Sequence, residues 1–353
     1  MDLVHKKSPL SSESKERLLK LNGYESTDIK VDPGNWTLPN AIDLEKIKNF
    51  TVFEDDIWIV TLPKCGTTWM QELTWLIMND IDIEKSKINQ FFRVPFLELD
   101  SIVKSYPIKE QEIEEFENYP EGMQKNEETV NWFMKHSMEY ANRLNRPRII
   151  KSHLPLSLLP NKLLDTCKVI YVARNIKDAA VSRYHHLKLS PGLQEDFKQF
   201  AICFLKGDIK FNPFIPHILE AWDARKHHNM FFTTYEEMKT DLRKETLKLV
   251  SFLRGPEKRL PNSSIDKLLK AVDIESFRKN VFVNKSKEVP ADDKGNGFIR
   301  KGVIGDWKNY FDEEMNDEWD GSIESQLLGT EYTMIFEDSQ LVLKDVSFNA
   351  AKV

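Results

Sequence analysis

Residues Asp56 to Asn79 read DIWIVTLPKCGTTWMQELTWLIMN, and how they are read decides the fold. The stretch opens on a short, β-rich apolar run, Ile57-Trp58-Ile59-Val60. It breaks at Pro63 and turns through Lys64-Cys65-Gly66. It then resumes with Trp69, Met70, Leu73, Leu76 and Ile77 on one face of a helix. Thr67 or Thr68 is expected to cap that helix. A strand, a tight basic loop and a helix start together make an anion site. The first amides of a helix have no partner inside it, and its dipole favours negative charge there. Gly66 lets the backbone approach closely, and Lys64 adds a full positive charge. The plainer alternative is a strand-to-helix turn with a solvated lysine.

The loop does not spell an NTPase. A Walker A motif needs Gly-x-x-x-x-Gly-Lys-Ser/Thr, whereas here the lysine precedes the only glycine. The expectation is therefore a P-loop-like phosphate site without that sequence.

Composition narrows the partners. At 353 residues the chain suffices for one large domain or two small ones. Hydrophobic residues at 41% and charged residues at 30% fit a globular protein. A net charge of −6 argues against general nucleic-acid binding, so any anion must be held by a local basic pocket. Cys65, Cys167 and Cys203 are widely spread and form no Cys-x-x-Cys, which disfavours a disulfide framework or a zinc site. The opening residues lack the apolar core of a signal peptide, and no run reaches membrane-spanning length. Asp2 excludes N-myristoylation, and Ala-Ala-Lys-Val at the end is no prenylation box. The expectation is a cytoplasmic protein with reduced thiols and no membrane insertion.

Outward from the central stretch, the chain alternates strands and helices. Residues 1–30 are polar and expected to be loosely ordered. Residues 31–330 are expected to form the domain, with 331–353 as an extension. Phe91 to Glu98 is an aromatic cluster stopped by Pro95, a candidate pocket wall or simply core. Residues 104–130 read as a surface excursion, and Trp132 to Asn145 as a helix. Arg148 to Ser152 is a short strand, with Lys151 and His153 two apart and so on one face if the strand persists. Residues 168–173 form another buried strand, followed by Arg174-Asn175 and a helix carrying Asp178, Ser182 and Tyr184. Asn229 to Tyr235 adds a strand and Glu236–Leu253 a helix. Helices are expected near 263–272 and 275–280, then a polar loop from Lys285 to Gly297. This alternation predicts an α/β single domain whose central parallel sheet is flanked by helices. Ligands sit at the carboxyl ends of such strands, and Lys64, His153, Arg174 and Tyr235 all fall there.

Four blocks, together with this order, resemble the cytosolic sulfotransferases over roughly residues 35 to 315. Thr61-Leu62-Pro63-Lys64-Cys65-Gly66-Thr67-Thr68-Trp69 resembles the loop that holds the 5′-phosphosulfate of 3′-phosphoadenosine 5′-phosphosulfate (PAPS). Lys151-Ser152-His153-Leu154-Pro155 resembles the catalytic histidine strand. Tyr171-Val172-Ala173-Arg174-Asn175 through Ser182 resembles the 3′-phosphate site, and Arg300-Lys301-Gly302 through Asp306-Trp307 its second clamp.

The resemblance implies roles. Lys64 would lie beside the phosphosulfate bridge, and the loop from Cys65 through Gly66, Thr67 and Thr68 would bind the 5′-phosphate. Trp69 would stack on adenine, Tyr235 would reach it, and Phe277 would close its other face. Arg174, Ser182, Arg300, Lys301 and Gly302 would bind the 3′-phosphate. His153 would be the base, Lys151 would stabilise the transferring group, and Phe96 and His186 would line the acceptor pocket. PAPS would be the donor and 3′-phosphoadenosine 5′-phosphate (PAP) the product, with no metal. His185-His186 and His227-His228 are not spaced as chelating pairs. Sulfuryl transfer spreads charge over the group's oxygens, so cations and positioning suit it, and histidine suits the hydroxyl proton.

Departures from the family pattern are specific. Cys65 stands where serine is usual, Glu275 where threonine often touches adenine, and His186 where phenylalanine lines the pocket. The family's dimer motif would fall on Lys308 to Asp317, with Asp312-Glu313 replacing Thr-Val. A monomer, or a dimer that does not use this motif, is expected. Cys65, next to Lys64 and a helix start, is expected to be modifiable. The expected activity is sulfation of a small lipophilic alcohol or phenol. Alternatives are a dehydratase resembling retinol dehydratase, as Lys151 through Pro160 suggests, a silent PAPS- or PAP-binding protein, and a P-loop kinase.

Overall fold

The four apolar runs expected to be strands do become the strands of one parallel sheet. They are seen in a computed structural model that describes residues 5–105, 127–189, 193, 195–283 and 298–337. Before them, β1 (Lys6–Pro9), β2 (Ile29–Asp32) and β3 (Trp36–Leu38) form a small antiparallel sheet. The main sheet is β4 (Ile57–Thr61), β5 (Ile149–Ser152), β6 (Lys168–Ala173) and β7 (Met230–Thr234), in the order β5-β4-β6-β7 and parallel throughout.

Successive residues of a strand face opposite sides of the sheet. Trp58, Val60, Ile150, Val169, Tyr171 and Ala173 belong to the larger apolar core. Ile57, Ile59, Ile149, Ile170 and Val172 belong to a second core on the other face. Both faces are covered, which is why these strands read as continuous apolar runs rather than alternating ones. The Thr67–Met78 helix contributes Met70, Leu73, Leu76 and Ile77 to the second core. The Ile176–Lys188 and Phe214–Asp223 helices close the first core with residues such as Ile176, Val181, Ile215 and Ile218. The result is a single α/β domain.

Several local expectations are corrected. Residues 5–30 are not loosely ordered. Ser11 caps the Ser12–Asn22 helix, Leu18 and Leu21 of that helix are buried, and β1 pairs with β2. Apart from Ser14 and Asp28, the polar residues of this segment are at least partly exposed and hide its apolar stripe from a composition reading. The expected extension after residue 330 begins inside the core, since Tyr332, Met334 and Ile335 are buried. Trp132 to Asn145 divides into the helices Glu127–Lys135 and Ser137–Arg143, broken at His136. Glu236–Leu253 divides into Tyr235–Thr240 and Leu242–Arg254, because the Asp241 side chain accepts from Lys244 N–H at 2.9 Å and starts a new helix. Residues 106–126 of the surface excursion and 284–297 of the polar loop lie outside the described residues, as do 1–4 and 338–353. Among the described residues, no helix is long and apolar enough to cross a membrane.

Candidate functional site

The loop after β4 holds the first set of groups. Its backbone makes two left-handed steps, at Lys64 (φ 71) and Gly66 (φ 96). Glycine adopts such a conformation freely, but lysine pays strain for it, and strain of this kind collects at functional loops. A Cβ on Gly66 would lie 3.1 Å from Tyr235 Cδ2, so the loop also needs the missing side chain for space. Neither threonine caps the following helix. Gly66 is its N-cap, with no side-chain cap bond, while Thr67 Oγ1 is 2.5 Å from Thr61 Oγ1. The helix's first amides are thus left to a ligand. Lys64 Nζ lies 4.5 Å from the centre of the Phe298 ring.

Cys65 departs from expectation. Its side chain is fully buried in the larger core, and burial pushes the thiol up, beyond the range in which a thiolate forms. Desolvation outweighs the nearby Arg174 charge, which acts the other way. Only the backbone of Cys65 remains to serve the loop. In the folded protein Cys65 is therefore expected to react with iodoacetamide no faster than Cys167, another buried thiol. Rapid alkylation of Cys65, measured by peptide mass spectrometry on folded protein, would overturn this.

His153 follows the last residue of β5. Its Nδ1 is 2.7 Å from the carbonyl oxygen of Thr61. A carbonyl only accepts, so Nδ1 carries the proton and Nε2 keeps its lone pair. Burial first, and the Lys151 charge second, hold His153 well below the ordinary histidine value, outweighing the Thr61 bond that raises it. The imidazole is neutral at neutral pH. Phe96 packs edge-on against it at 5.0 Å, and Lys151 Nζ lies over the same Phe96 ring at 4.1 Å. The ring geometry thus gathers Lys151, His153 and Phe96 at one point.

The second cationic group spans the ends of β6 and β7 and the 298–307 segment. Arg174 Nη1 donates to the Lys64 carbonyl at 3.0 Å, and its guanidinium lies 4.2 Å over the Tyr235 ring. Arg300 Nη1 and Lys301 Nζ both bind Asp306, at 2.5 and 2.8 Å. Burial would raise the Asp306 carboxyl, but the bonds from Lys301 and Arg300 overcome it and hold it down to about 2. Asp178, on the helix after Arg174, accepts from the N–H groups of Gly305 and Trp307 at 2.8 and 3.0 Å. It thereby fastens the 300–307 segment to the β6 end. At Gly302 (φ 67), a Cβ would meet Ile274 Cδ1 at 2.8 Å.

Most of these groups line one cavity of about 1010 Å³. Lys64, Gly66, Thr67, Thr68, Trp69, Arg174, Ser182, Tyr235, Phe277, Arg300 and Gly302 line one part of it. Lys151, His153, Phe96 and His186 line it together with apolar Leu99, Ile102, Met134, Leu187 and Phe211. Lys301, bound to Asp306, and Cys65, which faces the core, are not among the lining residues. The Trp69 indole is pinned by its N–H to the Val272 carbonyl at 2.9 Å. The His186 ring accepts at Nδ1 from Arg183 Nη1 at 3.1 Å, so this wall is more polar than a phenylalanine would make it.

The set fits a ligand with two separated phosphate groups. Nε of Arg174 and of Arg300 are buried and have no hydrogen-bond partner among the described residues. Bare backbone at Gly66 and Gly302 faces the same space. Sequence reasoning quoted Thr61, Asp178 and Asp306 but gave none of them a role of its own; they orient the cations and the histidine. Each is an ordinary polar residue in sequence, and its role comes only from being buried beside its partner. Among the described residues, no cluster of His, Cys, Asp or Glu is arranged to hold a metal ion.

Comparison with known proteins gives the family. Residues 54–331 match the sulfotransferase domain family. Sulfotransferase 1B1 of Mus musculus is 33% identical over 299 residues, 82% of this chain and 88% of its own. Luciferin sulfotransferase of Photinus pyralis is 34% identical over 287 residues, 78% of this chain and 73% of its own. Among solved structures, retinol dehydratase in complex with androsterone and the inactive cofactor PAP is similar, with a TM-score of 0.83 and 30% identity. That similarity covers 94% of this chain and 99% of the dehydratase chain.

Proposed function

The chain belongs to the sulfotransferase family, and on that premise we propose that it transfers the sulfuryl group of PAPS to the hydroxyl of a small lipophilic acceptor. The observation that carries this reading is the neutral His153, with Nδ1–H held by Thr61 and Nε2 left basic, in a cavity whose lining is cationic in one part and apolar in another. PAPS supplies the sulfuryl group. Lys64, the amides at Gly66 to Thr68, Arg174, Ser182, Arg300 and Gly302 would hold it, with Trp69, Tyr235 and Phe277 around the adenine. Lys301 contributes by fixing Asp306, which in turn orients Arg300. His153 takes the acceptor's hydroxyl proton while Lys64 and Lys151 offset the negative charge that develops in transfer. The acceptor lies against Phe96, His153 and His186.

The likeness to retinol dehydratase favours a second reading, in which transfer to an allylic alcohol is followed by elimination. Incubation with sulfur-labelled PAPS and a panel of phenols, catechols, hydroxysteroids and retinoids tests both. A labelled sulfate ester supports the first, and an anhydro hydrocarbon from retinol the second. Nucleotide binding without any product would reduce the chain to a silent binder and overturn both.

The cytoplasm is the compartment this reading implies, supported by the three unpaired, buried cysteines. For assembly, a monomer, or a dimer that does not use residues 308–317, is expected. Asp312 is the N-cap of the Glu313–Leu327 helix, accepting from Met315 N–H at 2.8 Å, and Glu313 and Glu314 fill its first turn. Across a two-fold axis these carboxylates would face their own copies. Light scattering at micromolar concentration should report a mass unchanged by Asp312→Ala and Glu313→Ala. A dimer that these changes dissociate would sink the idea.

A further inference from the structure

The backbone around His153 is held by a group that the reaction itself does not call for. Residues 95–97 run beside the end of β5 as a short parallel partner. Lys151 N–H donates to the Pro95 carbonyl at 2.9 Å, and Leu97 N–H to the Lys151 carbonyl at 2.9 Å. One residue further, a side chain takes over from the backbone. The Glu98 carboxylate, with no solvent exposure, accepts from His153 N–H at 2.6 Å through Oε1 and from the Ser152 hydroxyl at 3.0 Å through Oε2. Ser152 Oγ in turn accepts from Leu154 N–H at 3.0 Å.

On the other side, His217 Nε2 donates to the His153 carbonyl at 3.1 Å, and Tyr171 OH donates to His217 Nδ1 at 2.8 Å. His153 is therefore fixed at three atoms: its N–H by Glu98, its carbonyl by His217 and its Nδ1 by Thr61. A fully buried carboxylate is costly, and an uncharged residue would fill the same space at lower cost. Its presence directly under the histidine calls for a functional account.

We infer that Glu98 is a positioning residue for sulfuryl transfer: its carboxylate clamps the Ser152–Leu154 backbone and so sets where His153 Nε2 points in the cavity. The inference rests on the reading of His153 as the base. Glu98 does not touch the acceptor or the donor. Its effect is on the aim of the imidazole, and a misplacement of about 1 Å costs on the order of 10² in rate.

The electrostatics support a measurable signature. Burial pushes the Glu98 carboxyl up to about 7, against the bonds from His153 N–H and Ser152 and the Lys151 charge, which lower it. The other charged and titratable groups here are Lys151 and His153 on the β5 side and Asp100 two residues along its own segment. Arg183 and His217 act on the same imidazole. Near neutrality Glu98 thus changes charge while His153 stays neutral. Protonation turns one acceptor oxygen into a donor toward Ser152 and removes the charge that strengthens the His153 N–H bond.

The test uses the full chain, single-turnover transfer rates across pH, and calorimetric PAP titration of Glu98→Gln and Glu98→Leu. PAP affinity should stay within about twofold in both, because neither variant touches the nucleotide groups. The transfer rate should fall by roughly 3- to 10-fold in Glu98→Gln, whose amide still accepts from His153, and by on the order of 10² in Glu98→Leu. The loss of rate near pH 7 expected of the unmodified protein should be absent from Glu98→Gln, leaving only the lower limb of His153. A purely structural role would lower stability without moving that limb.

A Glu98→Gln protein with an unchanged rate and an unchanged acid limb overturns the inference, and that variant decides the matter alone if Glu98→Leu does not fold. A His153→Ala protein with normal turnover overturns the underlying reading instead. An inactive His153→Ala beside a fully normal Glu98→Gln overturns only the role of Glu98.

Discussion

Replacing His153 with alanine is expected to lower turnover by on the order of 10² or more while leaving nucleotide affinity nearly intact. The separation follows from what each group touches. His153 bonds Thr61, Glu98 and His217 and packs on Phe96, and none of these is a cation of the nucleotide part of the cavity. Arg174 and Arg300 are held by Lys64, Tyr235 and Asp306, so the imidazole can be removed without disturbing them. The pH dependence has a definite sign. The base is active when neutral, so its activity falls as pH drops through its own pKa. Burial and Lys151 place that point well below the ordinary value of about 6.5, so the His153 limb lies at lower pH still. The measurement is a pair, calorimetric titration with PAP and initial rate with an accepted acceptor. Near-normal sulfate transfer by His153→Ala would refute the assignment of the base.

Replacing Arg174 with alanine is expected to do the reverse, weakening nucleotide binding by about 1.5–3 kcal/mol, roughly 10- to 150-fold. The lost charge-assisted bond to a phosphate is only part of that. Arg174 also donates to the Lys64 carbonyl at 3.0 Å, and Lys64 is a left-handed residue that its surroundings must hold in place. Removing the guanidinium frees the loop to relax away from the ligand. Arg174→Lys separates the contributions, since it keeps the charge but lacks the planar fork that spans both partners. Its affinity should lie between those of the unmodified protein and Arg174→Ala. Unchanged PAP affinity in Arg174→Ala would remove the arginine from the nucleotide site.

Much of this architecture is written locally. Ile57-Trp58-Ile59-Val60 and Lys168 to Ala173 read as buried strands because a parallel sheet covered on both faces leaves no polar side to alternate with. Pro63, Gly66 and the apolar stripe of Met70, Leu73, Leu76 and Ile77 mark the turn and the helix for reasons confined to a few residues. Because ligands sit at the carboxyl ends of parallel strands, the sequence alone groups Lys64, His153, Arg174 and Tyr235.

What the chain alone determined, then, was the strand–loop–helix order, the family, and which cations and which histidine stand at strand ends. Each of these depends on neighbours in sequence. Only the tertiary structure decided that Cys65 faces the core, where burial raises its thiol, and that Lys301 is held by Asp306 and does not line the cavity. Only it showed the N-terminal helix bedded on Leu18 and Leu21, and Asp178, 127 positions from Gly305, tying two distant segments together. The physical reason is the same in each case. Side-chain direction, desolvation and hydrogen-bond partnership are set by what packs against a residue, and those neighbours lie far along the chain. Glu98 is the clearest instance. In sequence it is one more glutamate after an aromatic run, and it acquires a role only because the fold buries it beneath the amide of His153, 55 positions away.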